Sequence, residues 1–169
     1  MKIARFSLLI IAIFFFGSAS ASAQAVLTSL DGRRVDVTNQ PNKVVVLAVG
    51  ASWMNQLSAK QAEITNLLAK KYAGRPVAIY FVATDSSNPR SKNYASDAQI
   101  RDFASRNNLA VPVLRDSDGE VLTRELGLDQ VPSFVILDKS GKPAGEPFGG
   151  LDPKYDLSIP IAKAIDKLL

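Results

Sequence analysis

The sequence predicts an α/β fold in which a central mixed sheet is flanked by helices and preceded by an N-terminal β-hairpin. Three observations predict it. Two continuous apolar runs, Val44-Val45-Val46-Leu47-Ala48-Val49 and Val77-Ala78-Ile79-Tyr80-Phe81-Val82-Ala83, have the length and unbroken hydrophobicity of strands buried on both faces. The stretch between them changes to a helical period, which gives the order strand, helix, strand. Further on, the run Ser133 to Asp138 is followed by the turn Lys139-Ser140-Gly141-Lys142 and a second extended segment, adding an antiparallel pair and making the sheet mixed.

Each element has its own signal. From Val26 to Val37, Asp31-Gly32 divides two short β-prone stretches and reads as a hairpin with a type I′ style turn, because glycine accepts a positive φ. Asn39 to Lys43, with Pro41 inside, breaks the chain before the first buried strand. From Asn55, Leu57, Ile64, Leu67, Leu68 and Tyr72 share one side of a 3.6-residue repeat, so a helix runs toward Gly74 and Pro76. Residues 85–95 form a polar loop. Ser96 with Gln99 three residues later makes a capping box for a short helix ending around Asn107-Asn108. Val111 to Leu114 is extended, Asp116 to Gly119 a turn, Val121-Leu122 a brief extended piece and Thr123 to Leu128 one helical turn. Pro143 and Pro147 place the strand 143–148 at a sheet edge. Pro160, Ile161, Ala162, Ile165, Leu168 and Leu169 close the chain as an amphipathic helix with Ser158 as its cap and Pro160 in its first turn.

The first 23 residues are read separately. Lys2 and Arg5 precede the apolar run Phe6 to Phe16, and small residues follow it through Ala23, which is the order of a secretory signal. The eleven residues of this run, all apolar but Ser7, span about 16 Å in helix, roughly half of a bilayer's hydrocarbon core. Ala21 and Ala23 fit cleavage before Gln24, and Ala23 and Ala25 offer a second site. Residues 1–23 are thus expected to be a signal peptide, with 24–169 a single domain, no stable membrane span after cleavage, and a periplasmic or secreted bacterial location. The remainder carries 18 basic against 16 acidic side chains. Those basic residues are scattered, with no stripe to track phosphates, so nucleic acid is not an expected partner.

The chain has no cysteine and no histidine. Disulfides, thiol nucleophiles and nearly all structural zinc sites are therefore excluded, and no cofactor or metal is expected. Serine hydrolysis lacks both a base and a G-x-S-x-G elbow. Asp85 and Asp116 read as strand-end turn residues, Gly149-Gly150 as a bend, and Arg90 and Lys92 as parts of a solvated loop.

The element order, with V-V-V-L-A-V-G-A-S-W-M-N-Q-L at 44–57, P-V-L-R-D at 112–116, V-P-S-F-V-I-L-D at 131–138 and G-K-P at 141–143, resembles the thioredoxin superfamily, in particular its secreted or periplasmic TlpA-like and ResA-like thiol-disulfide oxidoreductases. A thioredoxin-like fold is what this resemblance implies. In that family C-x-x-C follows the tryptophan, but here Met54 and Leu57 stand at both cysteine positions, with Asn55 and Gln56 between them, and Ala48 replaces a common buried acid. A thioether cannot ionise and leucine offers no nucleophile. The helix-start field that would stabilise a thiolate has nothing to act on.

The resemblance also implies a cis Val131-Pro132 bond and a substrate groove. Carried over residue by residue, that groove would have Trp53, Met54 and Asn55 on one side and Gln130, Val131 and Pro132 on the other, with Gln56 facing water and Leu57 extending the core. The expected function is a redox-inactive secreted domain that binds an extended protein segment or assembly partner through this former substrate groove. Two alternatives are a thiol-disulfide oxidoreductase drawing cysteine from another chain, and a structural accessory subunit of an envelope assembly system.

Overall fold

A computed structural model describes residues 24–152 and 155–169. The signal-peptide reading of residues 1–23 lies outside the described residues. Seven strands, β1 (Val26–Ser29), β2 (Arg34–Asp36), β3 (Val44–Gly50), β4 (Val77–Ala83), β5 (Val113–Arg115), β6 (Ser133–Leu137) and β7 (Phe148–Gly149), form one sheet in the order β2-β1-β5-β4-β3-β6-β7. The three central neighbours β3, β4 and β5 are parallel, while β1, β2, β6 and β7 pair antiparallel, so the sheet is mixed. Among the described residues four α-helices accompany the sheet: α1 (Gln56–Lys71), α2 (Asp97–Arg106), α3 (Glu120–Leu126) and α4 (Ser158–Asp166). This is a thioredoxin-like fold with an N-terminal β-hairpin.

All seven residues of β3 are buried, and their alternation feeds two cores. Val44, Val46 and Ala48 face a core shared with Ile64 and Leu68 of α1, Ile100 and Phe103 of α2, and Ile161 and Ile165 of α4. Val45, Leu47 and Val49 face a second core with Leu27 of β1, Leu114 of β5 and Leu122 of α3. A strand with apolar partners on both sides gives the unbroken hydrophobic run seen in the sequence.

Five local expectations are corrected. The hairpin loop is not type I′: it spans Leu30 to Arg33, only Gly32 within it has positive φ (87°), and Asp31 shapes it by accepting from the Arg33 backbone and guanidinium. Val121 and Leu122 are helical, because the buried Asp116 carboxylate accepts from both of their N–H groups at 2.9 Å. The 143–148 strand shrinks to β7 and an isolated bridge at Pro143, since each proline removes a ladder donor. Ser158 is the first helical residue rather than the cap, and its N–H donates to Asp156. Leu67 lies on the solvent side of α1, 48% exposed, while Ser58, Gln61 and Thr65 are buried on the side facing the core.

Candidate functional site

The site begins where β3 leaves the sheet and passes through a 3₁₀ turn, Ser52–Met54, into α1. The turn is held by buried groups. Asp85, fully buried just after β4, accepts the Ser52 N–H with both carboxylate oxygens at 3.0 Å and the Ser52 hydroxyl at 2.6 Å. The Ser58 hydroxyl donates to the Ala51 carbonyl from one turn inside α1. So braced, the backbone presents Trp53 at 48% exposure, with Met54 and Leu57 half-buried and Asn55 and Gln56 exposed. Leu57 packs against the first core, as expected of a residue that extends it. Asn55 adopts φ 48°, ψ −111°, a conformation costly for a residue with a Cβ, and its side chain makes no cap hydrogen bond.

The second segment, Gln130 to Pro132, enters β6. Val49 is opposite Ser133 in the antiparallel pairing of β3 with β6, so continuing the register places Pro132 beside Gly50. The Val131–Pro132 bond is cis. Val131 is 39% exposed, and among the described residues no group pairs with its backbone N–H or carbonyl. Gln130 is fixed differently: its carbonyl accepts from the Ser133 hydroxyl at 2.7 Å, and its side chain packs on Gly149, where a Cβ would come within 2.3 Å of it.

The two segments therefore leave the same end of adjacent strands, and one side chain ties them together. Gln61 is fully buried, and its Nε2 donates to Val49 O at 3.0 Å and Ser133 O at 2.9 Å, bridging the ends of β3 and β6. Its Oε1 fills the space beside Gly50 and has no hydrogen-bond partner among the described residues. Sequence reasoning missed Gln61. Its signal was a lone amide in the apolar stripe of Leu57, Ile64 and Leu68.

Trp53 lines a cleft of about 570 Å³ whose other walls include Tyr94 of the 85–95 loop and Gln99, Asp102 and Arg106 of α2. Gln130, Val131 and Pro132 are not among its walls. Asp85 and Asp116 are more than surface turn residues, since both are buried and each organises backbone N–H groups. Burial raises the Asp116 pKa against the opposing effect of its Leu122 and Val121 hydrogen bonds.

The family model described as Thioredoxin-like matches residues 42–142. The chain belongs to that family. No curated protein matches it. Among solved structures it is similar to a secreted disulfide oxidoreductase of Mycobacterium tuberculosis homologous to E. coli DsbE, at 20% identity and TM-score 0.63 over 89% of this chain and all of that one. It is similar to the exposed lipoprotein thioredoxin Etrx1 of Streptococcus pneumoniae, at 24% identity and TM-score 0.66 over 86% of this chain and all of the other. It is similar also to a thioredoxin-like protein of Aeropyrum pernix, at 18% identity and TM-score 0.67 over 86% of this chain and 89% of the other. This thioredoxin-like chain has no cysteine, so it has lost the groups that thiol-disulfide exchange requires. Among the described residues no helix is long and apolar enough to cross a membrane.

Proposed function

We propose that this protein is a redox-inactive, secreted or periplasmic binding domain that holds an extended protein segment at the mouth formed by the Ser52–Met54 turn and the Gln130–Pro132 segment. The observation that supports the reading is the exposed Val131, whose backbone groups have no partner among the described residues, just before the strand beside the one that leads into the exposed Trp53. An extended chain pairs its own N–H and carbonyl with such groups, and side-chain pockets add selectivity. A rigidly held aromatic ring adds contact area at low entropic cost. Met54 supplies soft apolar surface at the position where the family's chemistry would need a thiolate.

Two measurements test the proposal. Trp53→Ala and Val131→Phe should each weaken an identified partner about tenfold or more in titration calorimetry, about 1.4 kcal/mol; unchanged affinity in both variants overturns the assignment of this mouth. An insulin-reduction assay on the purified protein should show no turnover above blank. Turnover by the protein alone overturns the redox-inactive reading.

A further inference from the structure

Among the described residues, two exposed large apolar side chains, Leu67 of α1 and Ile159 of α4, are 48% and 67% exposed and belong to a surface separate from the Trp53 cleft. Leu67 and Ile159 line a groove of about 760 Å³ between the two helices. The helices are fastened at their C-terminal ends, where the Tyr72 hydroxyl donates to Ala162 O and Asp166, and Lys71 and Arg75 pair with Asp166. Among the described residues no hydrogen bond or ion pair joins α1 to the first turn of α4. Leu68 and Ala162 form the floor.

The rim is basic. Lys71 comes from α1, Lys163 and Lys167 from α4, and Asp156 and Asp166 are the rim's acids. Lys60 acts electrostatically on Asp156 and pairs with Glu63, and Arg75 pairs with Asp166. The groove's own lining thus holds three basic side chains against two acidic ones, and one of the three, Lys71, is paired with Asp166. Lys163 and Lys167, exposed, have no ion-pair partner among the described residues.

We infer that the groove is a docking site for an acidic amphipathic helix of a partner protein. An extended strand finds no backbone donors or acceptors on a helical wall, whereas the side-chain ridge of a third helix fits between two others. The wall from Ser158 to Lys167 is about 14 Å long, matching between two and three helical turns. Apolar residues at i, i+3, i+4 and i+7 would cover Leu67 and Ile159, and flanking carboxylates would meet Lys163 and Lys167.

The probe is a synthetic 16-residue Leu/Glu peptide with apolar residues at i, i+3, i+4 and i+7, titrated into the full protein by fluorescence anisotropy. A scrambled peptide of the same composition is the control. The patterned peptide should bind at least tenfold tighter than the scrambled one, with affinity falling as salt is raised. Ile159→Asp and the pair Lys163→Glu with Lys167→Glu should each weaken it at least tenfold, while Trp53→Ala leaves it unchanged. All three positions are exposed, so folding is preserved and circular dichroism verifies it. Equal binding of both peptides, or insensitivity to the variants, overturns the inference. So does sedimentation showing that the face is covered by a second copy, or phosphatidylglycerol vesicles binding through these residues when the patterned peptide does not.

Discussion

At the scale of single residues, the Gln61 and Gly50 pair shows how the ends of β3 and β6 are held together. Gln61 supplies two hydrogen bonds that tie the ends of β3 and β6, and its own Oε1 goes unpartnered. The close approach needs a glycine opposite, since a Cβ on Gly50 would lie 2.1 Å from that oxygen and 3.2 Å from Phe81 Cζ. Gly50→Ala therefore displaces the amide and should cost about 2 kcal/mol through the lost bonds and strain. Gln61→Ala should cost a similar amount. In the double variant the added methyl enters space the amide has left, so the total should fall short of the sum by at least about 1 kcal/mol. Urea unfolding of the four proteins measures the coupling, and simple additivity would show that the contact between them carries no energy.

At the scale of elements, the parts legible in the sequence are those whose cause is local or repeated. β3, β4 and β6 are visible because burial on both faces writes itself as an apolar run, and α2 is visible because Ser96 and Gln99 form the complete capping box. The C-terminal part of α3 was legible as a helical turn from Thr123, but its start was hidden because Asp116 precedes an intervening 3₁₀ turn, Ser117–Gly119, and reaches over it to Val121 and Leu122. At the candidate site, Trp53 and Val131 are named only through the family resemblance, which rests on contiguous sequence words. The Asp85 brace is not legible there, because it joins positions 33 residues apart. Asp116→Ala should cost about 2 kcal/mol, since it strands two N–H groups, one of them on the buried Leu122. Ser96→Ala, at a solvent-facing cap, should cost about 1 kcal/mol. Hydrogen exchange should localise the first change to the Val121 and Leu122 amides; protection unaltered there would dismiss the capping account of α3.

At the scale of the whole molecule, the ionisable groups give stability an unusual pH dependence. With no histidine and no cysteine, no side chain has an ordinary pKa between about 5 and 8, so stability should be nearly flat from pH 8 to 6. Four carboxyls are held below their usual range. In Asp31 the Arg33 guanidinium does this first, in Asp138 the Ser140 hydroxyl, and in Asp156 the Ser158 hydroxyl; in Asp166 burial opposes, but Tyr72, Lys71 and Arg75 prevail. Their contribution is present above the unfolded value of about 3.9 and is lost as pH falls through the folded values. Asp116 runs the other way. Because burial raises its pKa, the folded state holds that proton more firmly, so its contribution is complete below about pH 3.9 and is lost as pH rises through the folded value. The two slopes meet near pH 4. Urea midpoints should therefore climb slightly as pH falls from 6 toward about 4, then drop. Asp116→Asn should remove the climb and keep the drop, while added salt should soften the drop more than the climb, since the four lowered carboxyls face water. A parent profile that declines steadily from pH 7, unchanged by Asp116→Asn, would show that the buried Asp116 carboxylate carries no linkage.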